Sequence, residues 1–160
     1  MDYKMQNVLA EMKRLFAGKW TGEGFAKFPT IDDTAYTEQL EFVSDEYKDA
    51  IFFNQKTWYK NDTEKNGHTV FWDAGFIFLK EDRIHLHSAQ VGGRMEIYDL
   101  AGFEGNVYTF NSSPLSNDPK LIRSQRIFTI DDRTLSYQLN MGTHAADFQN
   151  HLSAQLTKSN

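Results

Sequence analysis

The sequence predicts an all-β protein: about ten strands forming an antiparallel up-and-down β-barrel, with one N-terminal helix. Three observations carry this. Apolar residues recur with a helical period only within the first seventeen residues. Beyond them the chain breaks into short runs rich in aromatic and β-branched residues. Tight polar stretches such as KED, GG, FEGN and DDR separate these runs. Short strands joined by short turns make a meander, and a meander of this length closes on itself because closure removes the exposed edges.

The elements follow in order. Met5, Val8, Leu9, Met12, Leu15 and Phe16 recur three and four apart, which gives residues 3–17 one apolar helical face. Gly18 supplies a stop, and a helix so placed plugs or covers one end of a barrel. The barrel then spans residues 18–157. GKWTGEG (18–24) opens it, followed by YTEQLEFV (36–43), AIFFNQKTWYK (50–60), GFIFLK (75–80), RIHLHSAQ (83–90) and RMEIYDLAG (94–102). NVYTFN (106–111), LIRSQRIFTI (121–130), TLSYQLNM (134–141) and HLSAQLT (151–157) complete the set. NSSPLSNDP (111–119) reads as a loop, and MGTHAADFQNHL as a loop leading into the last strand. There is no repeat, low-complexity stretch or linker, so residues 1–160 read as one domain.

Gly18, Trp20, Gly22 and Gly24 fall on alternate positions and share one strand face. Glycine permits a sharp bend at a barrel corner. On an inward face it also leaves volume for a ligand. Packing of Trp20 into the barrel bottom accounts for the pattern equally well. Trp20, Gly22 and Gly24 are therefore candidate cavity residues.

Composition narrows the chemistry. Thirteen Phe, seven Tyr and three Trp, 14% of the chain, place large flat side chains around a core or a cavity. A net charge of −5 without a Lys/Arg cluster argues against nucleic acid or an anionic membrane as partner. The absence of cysteine excludes disulfides, thiolate metal sites and cysteine nucleophiles. No apolar run suits a signal peptide or a bilayer span, so the expectation is a cytoplasmic protein.

Side-chain catalysis has little support. His85 and His87 share one face of a strand with Arg83, which reads as a solvent face. His68 falls beside a turn, and the acidic pairs Asp32–Asp33, Glu81–Asp82 and Asp131–Asp132 fall in turns. There is no Gly-x-Ser-x-Gly elbow and no phosphate-cradling loop. His151 shares parity with Gln149, Ser153 and Gln155, which periodicity assigns to the outside, although a barrel mouth can turn polar residues inward. A cavity holding a ligand or cofactor is the better expectation.

Several features occur together. Gly18-x-Trp20-x-Gly22-x-Gly24 is followed by FPTI (28–31), YTEQLEF (36–42) and QKTW (55–58); Met141-x-Thr143 then precedes His151-Leu152, with Met141 ten residues before His151. The combination resembles the nitrobindin family, haem-binding β-barrels also found as the C-terminal domain of THAP4-type proteins, from about residue 15 to 157. The resemblance implies a ten-stranded barrel similar to fatty-acid-binding proteins and lipocalins. It implies one haem b per chain near the mouth, with ferric iron held by His151 in the segment that begins at Met141. It implies binding of nitric oxide and conversion of peroxynitrite to nitrate, by a monomer or homodimer. Thr30 and Lys120 would contact the haem, Lys120 pairing a propionate. One departure stands out. Many nitrobindins carry a distal histidine in a His-x-Glu-x-Gly segment, where this chain has Phe71-Trp72-Asp73-Ala74-Gly75. Phe71 would give an apolar distal face that admits nitric oxide but offers peroxynitrite no donor, which leaves isomerase activity open. His144 also lies near the proximal segment.

Two other functions fit a barrel. A haem-free intracellular carrier of a small apolar ligand such as a fatty acid would place a cation inside. Arg123 and Arg126 lie on opposite faces of their strand, so at most one points inward. A filled barrel with an interaction role would have no ligand-sized cavity.

Overall fold

The amphipathic N-terminal stretch forms α1 (Met5–Phe16), burying Val8, Leu9, Met12 and Phe16 along one face. Ten strands follow: β1 (Gly18–Ala26), β2 (Thr34–Ser44), β3 (Ala50–Tyr59), β4 (Thr69–Lys80), β5 (Arg83–Gln90), β6 (Met95–Glu104), β7 (Val107–Ser112), β8 (Leu121–Asp131), β9 (Thr134–Thr143) and β10 (Ala146–Lys158). The computed structural model describes residues 4–27, 32–113, 121–144 and 146–160. Every strand pairs antiparallel with its chain neighbours, and β1 pairs with β10 to close the barrel.

Strict up-and-down order gives the barrel two different ends. The β2–β3, β4–β5, β6–β7 and β8–β9 turns share one end with Gly18, and α1 covers it. Phe16 of α1 packs edge-on against Phe42 and Tyr108, with ring centroids 5.0 and 5.3 Å apart, and tilted against Phe128 at 5.7 Å. Such pairs contribute roughly 0.5–1.5 kcal/mol each beyond their buried area. Trp20 is fully buried here and its Nε1–H donates to the Phe16 carbonyl at 2.8 Å. Lys13 Nζ ties α1 to the β2–β3 turn by donating to the carbonyls of Asp45 (3.0 Å) and Lys48.

The glycines of β1 are explained by close approach. A Cβ on Gly22 would overlap the Gln155 carbonyl of β10, and one on Gly24 would overlap the ring of Tyr36. Tyr36 lies across β1 at Gly24, and its hydroxyl donates to the Ser153 carbonyl at 3.3 Å. The glycine face is thus filled by a neighbouring strand and a tyrosine ring.

Two strands extend beyond their sequence patterns, each through a β-bulge. β4 starts at Thr69, and β10 at Ala146. Phe71 pairs with Thr57 while Thr69 pairs with Trp58, which leaves Val70 as the extra residue. Asn150 pairs with Asn140 and Leu152 with Leu139, which leaves His151 as the extra residue. A bulge breaks the two-residue alternation by which strands are recognised, so both segments read as irregular in the sequence. His151, which the sequence pattern makes the first residue of the last strand, therefore lies well inside β10, and the segment before it is strand and not loop.

Candidate functional site

The interior is layered. Above the aromatic plug lies a band of polar and charged side chains, and above that a cavity toward the end opposite α1. Strand alternation turns Glu38, Gln55, Asp73, Ser88, Glu96, Ser124 and Arg126 inward, each 2% exposed or less. Arg126 anchors the band. Its Nη1 donates to Asp73 Oδ2 at 3.0 Å, and its Nη2 to Glu96 Oε1 at 3.1 Å and Ser88 Oγ at 3.2 Å. The guanidinium carbon also sits 5.0 Å from the Tyr98 ring centroid. Two carboxylates and an aromatic face compensate a buried cation, as burial of charge requires. Burial pushes the Tyr98 hydroxyl up to about 12, and Tyr98 and Ser124 share a 2.7 Å hydroxyl–hydroxyl hydrogen bond. Burial likewise raises Asp73, outweighing the pull of Arg126.

The cavity holds about 640 Å³, within the range of small-molecule sites. Its wall is built by Tyr36 of β2, Thr57 and Tyr59 of β3, Val70 and Phe71 of β4, residues 90–94 between β5 and β6, Glu96 of β6, Leu139 and Met141 of β9, and Leu152 of β10. The β4 bulge is what brings Val70 and Phe71 to the wall side by side. Aromatic and aliphatic surface dominates, with Arg94 the only cation among the described wall residues.

His151 is buried immediately beside this wall. It is 3% exposed, and Leu152, which lines the cavity, is 6% exposed. Adjacent residues on a regular strand face opposite ways; the bulge allows both inward. Four hydrogen bonds hold the bulge. The His151 carbonyl accepts from the Lys27 amide at 2.7 Å. Asn150 Nδ2 donates to Asn140 Oδ1 at 3.1 Å and to the Leu152 carbonyl at 3.0 Å. Ser153 Oγ donates to Asn150 Oδ1 at 2.9 Å. Burial lowers the His151 imidazole below its ordinary pKa and so favours its neutral form.

The remaining candidates divide clearly. Phe71 and Met141 are brought together in the cavity wall, with His151 next to it. β4 lies four strands from β10 in one direction and six in the other, so Phe71 and His151 come from opposite sides of the barrel. Trp20 is remote, in the plug at the covered end, and Gly22 and Gly24 are covered by Gln155 and Tyr36. Those three are packing residues, and only Gly24 reaches the cavity, indirectly, through Tyr36. Thr30 and Lys120 lie outside the described residues. His144 is exposed in a turn, and His68 is exposed near the β3–β4 connection. His85 and His87 are on the outer face; His85 Nδ1 pairs with Asp99 Oδ1 at 2.6 Å. No cluster of metal-ligating side chains occurs among the described residues. Sequence reasoning missed Tyr59, Gln90, Arg94 and Glu96. Glu96 was detectable as an acidic residue on an inward parity of its strand, beside Tyr98.

A closed barrel with one end plugged, an aromatic-walled cavity at the other and a neutral imidazole buried beside the wall define a ligand-binding β-barrel. The chain belongs to the THAP4-like, heme-binding beta-barrel domain family, which it matches over residues 9–158. It is 31% identical over 148 residues to peroxynitrite isomerase 1 of Rhodococcus jostii, covering 89% of this chain and 80% of that protein. It is 23% identical over 176 residues to a ferric nitrobindin-like protein of Thermobifida fusca, covering 99% and 97%. The crystal structure of Rv2717c from M. tuberculosis superposes with a TM-score of 0.75 at 21% identity, covering 95% of this chain and 98% of that one. That likeness concerns the fold.

The residues present suit a haem. A porphyrin needs flat apolar walls, which Tyr36, Phe71, Leu139, Met141 and Leu152 supply. Its iron needs a neutral nitrogen donor, a chemistry that the buried His151 imidazole fits. A fatty acid entering headgroup-first suits them less, because Arg126, the guanidinium beneath the cavity, is already held by two carboxylates, while Arg123 is exposed.

Proposed function

We propose that this barrel binds one ferric haem b per chain with His151 as the axial ligand, binds nitric oxide, and isomerises peroxynitrite to nitrate. The observation that carries the reading is the bulge that turns a buried, neutral histidine inward beside an aromatic cavity. Bound haem supplies an iron centre at which nitric oxide binds and peroxynitrite rearranges. The chain's own residues set the conditions. His151 offers an imidazole lone pair without competition from a proton, because burial disfavours the imidazolium. Asn150 fixes the bulge and with it the imidazole. Phe71 presents an apolar surface across the barrel that excludes water. Tyr59 and Arg94 bring a hydroxyl and a positive charge to the same wall, and these take the role of orienting an anion where a histidine is absent. The names of the relatives support the assignment: a peroxynitrite isomerase in Rhodococcus and a ferric nitrobindin-like protein in Thermobifida.

The test is a hemin titration read at the Soret band. A saturable one-to-one band that His151→Ala abolishes is the expected result. An unchanged band in the variant sinks the assignment.

A further inference from the structure

Arg126 lies inside the barrel and is satisfied by the chain itself. Its Nη1 holds Asp73 and its Nη2 holds Glu96 and Ser88. Gln90 Nε2 donates to the same Glu96 oxygen. Glu96 is only 2% exposed yet forms part of the cavity wall, so it marks where the charged band meets the cavity. A guanidinium captures a carboxylate through paired N–H groups, and here its terminal nitrogens already face carboxylates of the chain. An acid group pushed to the cavity floor therefore meets Glu96. Even with Glu38 protonated, the band sets two carboxylates against one guanidinium. At the other extreme, Arg94 stands in the wall between β5 and β6, at the end opposite α1.

We propose that Glu96 is the specificity-determining residue of the cavity: by occupying Arg126 it turns away ligands that enter carboxylate-first and admits those whose acid groups stay at the mouth, beside Arg94. The inference rests on the haem reading for the identity of the ligand, since haem carries both acid groups on one edge of an otherwise apolar disc. It also separates this barrel from carriers that hold a fatty acid by its headgroup inside.

The test needs no haem. The fluorescent probe cis-parinaric acid and its methyl ester are titrated at pH 7 into the wild type, Glu96→Gln and Glu96→Gln/Arg126→Gln. Glu96→Gln frees one edge of Arg126 and opens a carboxylate-inward pose, so it should bind the acid about threefold or more tighter than the wild type while leaving the ester unchanged; the double variant should return the acid to its wild-type affinity. A folded Glu96→Gln that binds the acid no tighter than the wild type overturns the proposal. A failed hemin titration beside the expected gain for the acid would sink the haem reading and leave the specificity of the cavity standing. A successful one beside an unchanged acid affinity in Glu96→Gln would do the reverse.

Discussion

Glu38 offers a direct measure of how dry the barrel interior is. It points inward from β2 at 2% exposure, and neither of its carboxyl oxygens has a hydrogen-bond partner among the described residues. Burial pushes its pKa from 4.5 up to about 8; Gln55 and Arg126 pull the other way, and Asp73 adds to the rise. The folded state therefore holds a proton that the unfolded chain releases above about pH 4.5. Because the native state binds more protons in that window, unfolding free energy falls as pH rises, and levels off above about pH 8. The full difference is roughly 5 kcal/mol, a large part of a typical domain's stability. Glu38→Gln keeps the shape of the protonated acid and does not titrate. Urea unfolding followed by tryptophan fluorescence at pH 5, 6, 7 and 8 should give similar stabilities at the acid end. By pH 8 the variant should be more stable by about 3–4 kcal/mol. His151 contributes the opposite slope, since its lowered pKa makes stability fall as pH drops below its ordinary value of 6.5, but it is common to both proteins and cancels in the difference. Parallel curves that stay within about 0.5 kcal/mol would show that Glu38 is hydrated and refute the dry band.

Three further outcomes follow from the geometry. Gly24→Val should drive the Tyr36 ring toward the cavity, weakening hemin binding by about tenfold or more at a stability cost of about 1–3 kcal/mol; normal hemin affinity in this variant would show that Tyr36 moves elsewhere. Gly22→Val meets the β10 backbone instead, so it should abolish soluble folded protein, as judged by circular dichroism. Asn150→Ala removes the brace of the His151 bulge and should lower hemin affinity about 10–100-fold while costing only about 1 kcal/mol in thermal unfolding.

The legibility of the fold varied along the chain with its regularity. β5 (Arg83–Gln90) and β9 were readable almost to their ends because their alternation is unbroken, and α1 because its apolar residues keep a helical period. The starts of β4 and β10 were not: the first carries Val70 and Phe71, and the second runs up to His151, where the readable part of β10 begins. Each contains a bulge, whose extra residue is defined only by the partner strand it fails to match. The parity that assigned His151 to the outside was correct for a regular strand and misleading for this one.

By itself the sequence determined that this is an antiparallel barrel capped by a helix, and that its motifs resemble those of haem-binding relatives. Both follow from local periodicity and from short spacings. Only the tertiary structure decided that β1's glycines yield to a strand and a tyrosine, that Arg126 is held by Asp73 and Glu96, and that His151 turns inward beside the cavity. Arg126 is 53 residues from Asp73 and 30 from Glu96 in the chain. Such contacts, like the register of a bulge, exist only once distant strands are paired, so no local pattern can encode them.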